Sequence, residues 1–320
     1  MFDGVLLILP DFSVILFGAL LVNCFHFERS FWDKAENLVF YVLFPPLLFN
    51  SVSGSHLTPS AAGLFLASAV GAMLLAVVLA WCVRYIVKDD DWTHASVFQC
   101  GFRFNTYIGF AVCSRLYGQE GMSLMALLIA FWVPISNTIA VSVLANAVAK
   151  KEASEGGAAA GKTESTAMKT LKAVVKNPLI IATVAGLIVN VSGVTVPGVV
   201  HGFFKNLGNA SLAMGLLCIG AGLRMNDFKK HIALISVSCL DRLVAVPLIA
   251  WAVSTIMGLS PVETGVAMVF AALPTAQSCY VMTASMRGNA TAVANVTTAQ
   301  TLFAMASIPA WIALLLTMGR

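Results

Sequence analysis

Ten times along the chain a run of apolar residues, long enough to cross a bilayer as a helix of about 20 residues, is closed by a short polar stretch. The runs cover 5–24, 35–52, 61–87, 94–117, 121–148, 178–194, 203–223, 231–257, 262–287 and 291–317. The first lacks a basic n-region and a cleavage-type site, so it reads as a span and not as a signal peptide. One interval alone has the composition of a flexible linker. It covers 149–176 and holds six Lys, three Glu and the run GGAAAG. The pattern predicts an all-α polytopic membrane protein of ten transmembrane helices: five in 1–148, the linker at 149–176, and five more in 177–320.

The two halves resemble each other at a nearly constant offset. Pro10 and Gly18 match Pro178 and Gly186 at 168; Asn37-Leu38 and Leu47-Leu48 match Asn206-Leu207 and Leu216-Leu217 at 169. LAWCV at 79–83 matches IAWAV at 249–253, and NTYIGFAVCSRLYG at 105–118 resembles TAQSCYVMTASMRG at 275–288, both at 170. Apolar helices resemble one another by composition, but four matches in series at a nearly constant offset indicate a repeat. Five is an odd number of spans, so the second half enters the membrane inverted. Inverted repeats build many secondary transporters, with the substrate site near the midplane between them.

Composition agrees with burial in lipid. Apolar residues make up 59% and charged residues 11%, with a mean hydropathy of +0.87, against roughly 25% charge in soluble domains. The seven cysteines lie in apolar runs without a CxxC pair, and the five histidines are scattered at segment ends. Metal binding needs clustered ligands, so neither set predicts a metal site. Of the 19 Lys and Arg, 14 fall in loops after odd-numbered spans and three (Arg115, Lys205, Arg320) on the other side. By the positive-inside rule the odd loops are cytoplasmic and both termini lie outside the cytoplasm of a cell (inner) membrane. The net charge of +4 then follows from membrane orientation, with no nucleic-acid partner. No GxxxxGK[ST] run is present, and nothing in the sequence indicates an ATPase, a redox or hydrolytic enzyme, or a cofactor.

Arg103 and Arg242 remain, both inside spans, together with Asp241. Ionisable groups at that depth are costly and mark either function or a structural ion pair. One carboxylate cannot neutralise two guanidiniums, so the trio leaves a positive charge suited to a carboxylate ligand. Asp241 is a candidate proton-coupling group or, alternatively, a permanently ionised partner of one arginine. Spans four and nine also interrupt their apolar runs halfway, at Arg103-Phe104-Asn105-Thr106 and at Pro274-Thr275-Ala276-Gln277-Ser278. Pro274 opens or kinks its helix, either as a packing feature or as part of a site. Opened helices expose N-terminal dipole ends that favour anions. Pro45-Pro46 is expected to break span two. In span five, Asn137 needs partners, whereas Thr297, Thr298, Gln300 and Thr301 in span ten read as helix–helix glue.

The segments FYVLFPPLLFNSV, FNTYIGFAV, PISNTIAV, KNPLIIATVAGLIV, LAMGLLCIGAGL and ALPTA, in that order over essentially the whole chain, resemble the auxin efflux carrier family of bacteria and plants. The short central loop is similar to that of the bacterial type. The resemblance implies two inverted five-helix repeats, with helices four and nine broken and crossing at the substrate site. It also implies a dimerising scaffold of spans 1, 2, 6 and 7, and an elevator-like transport unit from the other six. Asn105 and Pro274-Thr275 would line the site by that resemblance, with Thr106, Gln277, Asn137, Arg103 and Arg242 as further substrate-binding candidates. Bacterial relatives are linked to small carboxylates such as malate and malonate. The expected activity is therefore secondary transport of a small organic anion by a homodimer in the lipid bilayer. The alternative is a membrane-embedded sensor that binds ligand in the same pocket without moving it.

Overall fold

The computed structural model describes residues 2–25, 27–54, 59–154, 176–224 and 231–318. Most of the expected linker, 155–175, lies outside the described residues, as do Lys229, Lys230 and Arg320. All regular structure among the described residues is helical. In chain order the helices are α1 (Phe2–Asn23), α2 (Arg29–Leu38), α3 (Phe44–Ser53), α4 (Pro59–Ile86), α5 (Asp91–Phe98), α6 (Thr106–Ser154) and α7 (Pro178–Ser192). There follow α8 (Gly198–Ala221), α9 (Ile232–Leu240), α10 (Val246–Ile256), α11 (Pro261–Ala272), α12 (Ser278–Ser285) and α13 (Ala290–Met318). Each of the ten apolar runs is helical over most of its length. Among the described residues, five stretches are long and apolar enough to cross a membrane: Arg29–Ser53, Ala62–Ile86, Asp91–Ser154, Ile232–Ile256 and Ala290–Thr317. Shorter apolar helices accompany them at Ile8–Asn23, Pro178–Ser192 and Pro261–Ala272. The chain is a multi-pass membrane protein.

Local chemistry marks the helix ends. The Asp90 carboxylate accepts from the Thr93 N–H at 2.8 Å and caps α5. Asn177 caps α7 ahead of Pro178, and the helix stops at Gly193, φ 68°. Ser260 and Glu263 form a reciprocal capping box before α11. Gly118 sits at φ 55°, ψ −135° inside α6, a backbone state open to glycine but strained for other residues. There α6 turns, joining the end of span four to span five.

Pro45-Pro46 does not break span two. The helix widens into a π turn at Val39–Leu43 and continues through the prolines as α3. Proline lacks an N–H and crowds the carbonyl one turn back; a wider turn relieves both problems without opening the helix. A second π turn, Asp241–Ala245, precedes Pro247 in the same way. Asp241, Arg242 and Leu243, the first three residues of that turn, are all buried.

Packing divides the helices into two groups. α1 lies along α8, and α3 lies along both α7 and α8. The approach is close because small residues face backbone: a Cβ on Gly220 would strike the Ile15 carbonyl, and one on Gly18 would strike the Leu217 carbonyl. A Cβ on Gly186 would sit 2.9 Å from the Phe49 carbonyl oxygen. Small residues permit such contacts, and dispersion between the backbones holds them. Gly18, packed on span seven, and Gly186, packed on span two, are counterparts at the repeat offset. The second group packs α4, α10, α11, α13 and the two halves of α6 around the breaks in spans four and nine.

Candidate functional site

Spans four and nine are both interrupted at the polar clusters. The helical path of span four ends in a 3₁₀ turn, Gln99–Gly101, and resumes at Thr106. That of span nine leaves helix at Leu273 and resumes at Ser278. The freed backbone groups need protein partners, because lipid offers none. The two breaks meet these needs largely through each other. The Asn105 N–H donates to the Pro274 carbonyl at 2.8 Å. The Thr275 N–H donates to Oε1 of Gln300 at 3.0 Å, and the Thr275 hydroxyl lies 2.7 Å from the Cys100 carbonyl and 2.6 Å from Gln300 Oε1. Gln300 Nε2 donates to the Ser238 carbonyl at 3.1 Å. The Phe102 carbonyl accepts from the Trp132 indole at 2.9 Å.

Arg242 is the centre of this knot. Its side chain is fully buried, and among the described residues it donates to neutral groups, mainly backbone carbonyls: Leu273 at 2.7 Å, Phe270 at 3.1 Å and Gly101 at 3.3 Å. The guanidinium thus caps the C-terminal ends of both interrupted helices, where the dipole favours a cation. The neighbouring Asp241 side chain makes no hydrogen bond or direct ion pair among the described residues, with either arginine or any other group. It lines a cavity of about 10 Å³ with His94, Gly101 and Ser238.

Arg103 lies elsewhere. It is buried, and its guanidinium donates to Gln99 Oε1 at 2.6 Å and to the Ser278 hydroxyl at 3.0 Å, with Met282 Sδ at 3.5 Å. All three partners are neutral. With Thr106, Asn137, Ser136, Asn177 and Ser278 it lines a cavity of about 150 Å³. A second cavity of about 80 Å³ is lined by Asn105, Thr106, Gln277 and Ser278 from the two breaks, and by Glu36, Phe44 and Leu179 from the other helix group. Thr106 and Ser278 border both cavities. They are also the first residues of α6 and α12, so two helix N-termini converge on the same space. Asn105 orients the first by capping it, accepting from the N–H groups of Tyr107 at 3.1 Å and Ile108 at 3.2 Å.

Of the residues singled out from sequence, Asn105, Thr106, Gln277, Arg103 and Asn137 line these two cavities. Pro274, Thr275 and Arg242 lie in the buried knot behind them. Sequence reading missed Gln99 and Glu36, and placed Ser278 in the polar run of span nine without making it a site candidate. Gln99 stands one helical turn before Arg103, a spacing that places side chains together, and that was the available signal. No group of three or more His, Cys, Asp or Glu side chains among the described residues could hold a metal ion.

No curated protein matches the chain. The family model described as "membrane transport protein" matches residues 7–312, nearly the whole chain. With that match, the chain belongs to the membrane transport proteins of the auxin efflux carrier family, and is a membrane transporter.

Proposed function

We propose that the protein is a secondary transporter of a small organic carboxylate, bound where the two interrupted helices begin again. The observation that carries this reading is Arg103: a buried guanidinium bordering a cavity, whose hydrogen-bond partners among the described residues are all neutral. A buried cation without a counter-ion is unfavourable unless an anion joins it. The N-termini at Thr106 and Ser278 add partial positive charge on the same side. Arg242 is assigned a structural role, because its donors are already engaged by carbonyls. Asp241, unpaired in its own small cavity, is the proton-coupling candidate.

In this reading spans 1, 2, 6 and 7 form the scaffold and the other six spans the moving unit, in two inverted repeats with both termini outside the cytoplasm. The dense packing of α1 on α8 and of α3 on α7 and α8, closer than the contacts these helices make with α6 and α13, supports that division. Exposed Tyr41 and Val42 on span two and Phe203 on span seven suit a homodimer through those spans. The second cavity lies between the two groups, where an elevator movement would carry bound substrate past the scaffold.

The test is uptake of labelled mono- and dicarboxylates into proteoliposomes, beside binding in detergent. Wild type should accumulate at least one of them. Arg103→Gln should weaken its binding by roughly 10- to 100-fold, the loss of one charge-assisted hydrogen bond, with thermal stability nearly unchanged. Binding without uptake would favour a sensor, and wild-type affinity in Arg103→Gln would remove the anion site.

A further inference from the structure

The most voluminous of these cavities lies away from the crossovers. It is a groove of about 640 Å³ between the end of α4, the start of α5 and the end of α6, bordered by Trp81, Arg84, Asp91, Trp92, Lys150 and Lys151. Its carboxylates are already engaged. Asp91 pairs with Arg84 at 2.5 Å, Asp90 caps its own helix through Thr93, and nearby Glu152 pairs with Arg287 at 3.2 Å. Neither lysine makes an ion pair among the described residues. Lys151 Nζ stands 3.3 Å from the centroid of the Trp92 ring, a cation–π contact that positions the ammonium without cancelling its charge. Lys150 is exposed and makes no ion pair among the described residues. Two tryptophans and a cationic rim at the end of membrane helices are the composition of a bilayer interface. An apolar track leaves the groove toward the bilayer interior, since Trp81 on its wall continues a line of exposed side chains on α4: Leu74, Val78, Trp81 and Tyr85. Spacings of four, three and four residues place all of them on one helix face.

We infer that this groove binds one anionic glycerophospholipid of the cytoplasmic leaflet. Its phosphate would lie against Lys150 and Lys151 and an acyl chain along the α4 track. A soluble phosphate would use the lysines but leave the apolar track empty, and a zwitterionic lipid would use the track but bring its own cation to the rim. Basic recesses between membrane helices on the cytoplasmic side are suited to such headgroups. The inference rests on the orientation adopted above, but not on the identity or movement of the substrate.

Native mass spectrometry of the full chain, offered equal phosphatidylglycerol and phosphatidylcholine, tests it. Wild type should retain phosphatidylglycerol preferentially. Lys150→Gln with Lys151→Gln should reduce that preference by roughly 10- to 30-fold, the share of two interfacial lysines. Both changes are at the groove rim, and melting in phosphatidylcholine alone should stay as in wild type. Lys205→Gln, on the opposite side in this orientation, should keep the preference. An unchanged preference in the double variant, an equal loss in Lys205→Gln, or displacement of the lipid by millimolar glycerol 3-phosphate would each overturn the assignment. None of these outcomes depends on transport.

Discussion

The two helix interruptions reach the same result by different chemistry. In span nine Pro274 has no N–H, so the carbonyl of Phe270, one turn earlier, loses its normal donor. Arg242 takes that carbonyl and the one at Leu273. Span four has no proline between Phe98 and Gly118, yet its helical path is equally open. There Asn105 directs its N–H across to the Pro274 carbonyl, leaving the Gly101 carbonyl to Arg242, and the next carbonyl, of Phe102, accepts from Trp132. Proline forces one opening, while exchange of hydrogen bonds between the two spans sustains the other. A broken membrane helix therefore needs donors from its neighbours more than it needs a helix breaker.

The largest effect expected from breaking this comparison is at Arg242. Arg242→Met keeps much of the side chain's length and removes every donor. Three buried carbonyls would lose their partner, at about 1–3 kcal/mol for each unsatisfied group. The variant should lose about 3 kcal/mol or more of stability, read as a large fall in melting temperature and poor recovery from detergent extraction. A stable Arg242→Met that has lost only substrate binding would reverse the assignment of the two arginines.

Asn105→Ala should act next, and more mildly. It removes the side-chain cap on α6 but keeps the backbone N–H that reaches Pro274. Loss of an Asn cap costs about 1 kcal/mol, so the melting temperature should fall measurably. Substrate affinity should fall with it, because the N-terminus beginning at Thr106 would fray. A variant that melts lower but binds normally would separate the cap from the site and leave Arg103 as its principal determinant.

How far the sequence reveals this arrangement differs between residues. The positions of the interruptions are readable, because polar side chains halfway through an apolar run must find partners where lipid supplies none. Arg103, Asp241 and Arg242 stand out for the same reason. Their division of labour does not. Arg242 is engaged by main-chain carbonyls, which carry no residue signature, so in the sequence it looks as free as Arg103. Counting one carboxylate against two guanidiniums suggests that Asp241 balances one of them, and it makes a direct pair with neither. Gln300 reads as polar glue in span ten, yet it accepts from Thr275 in one interruption and donates to the Cys100 carbonyl at the other. The Pro45-Pro46 pair carries a stronger breaking signal than anything in span four, and the helix passes through it. In each of the two polar cases, Arg242 and Gln300, the missing information is a partner distant in sequence; at the proline pair it is the π turn just before it.

The smallest effect expected is at Pro274 itself. Pro274→Ala restores an N–H at the second interruption. An isolated helix would use that N–H to bond the Phe270 carbonyl and close the gap. Here Phe270 is already held by Arg242 at 3.1 Å, the Pro274 carbonyl receives the Asn105 N–H at 2.8 Å, and Thr275 is fixed to Gln300 at 3.0 Å. None of these contacts uses the proline ring. Closing the helix would break all three for the sake of one new hydrogen bond, worth about 0.5–1.5 kcal/mol net. The interruption should persist, and the cost should be the added freedom of the unfolded chain, about 0.4–1 kcal/mol. Substrate affinity should stay within about 3-fold of wild type, equivalent to less than about 1 kcal/mol. Hydrogen exchange can follow the new amide: faster exchange than in the flanking α11 segment would mark it as unpaired. Strong protection together with lost binding would mean that the helix has closed, and that the proline, not the exchange of partners between the two spans, keeps the site open.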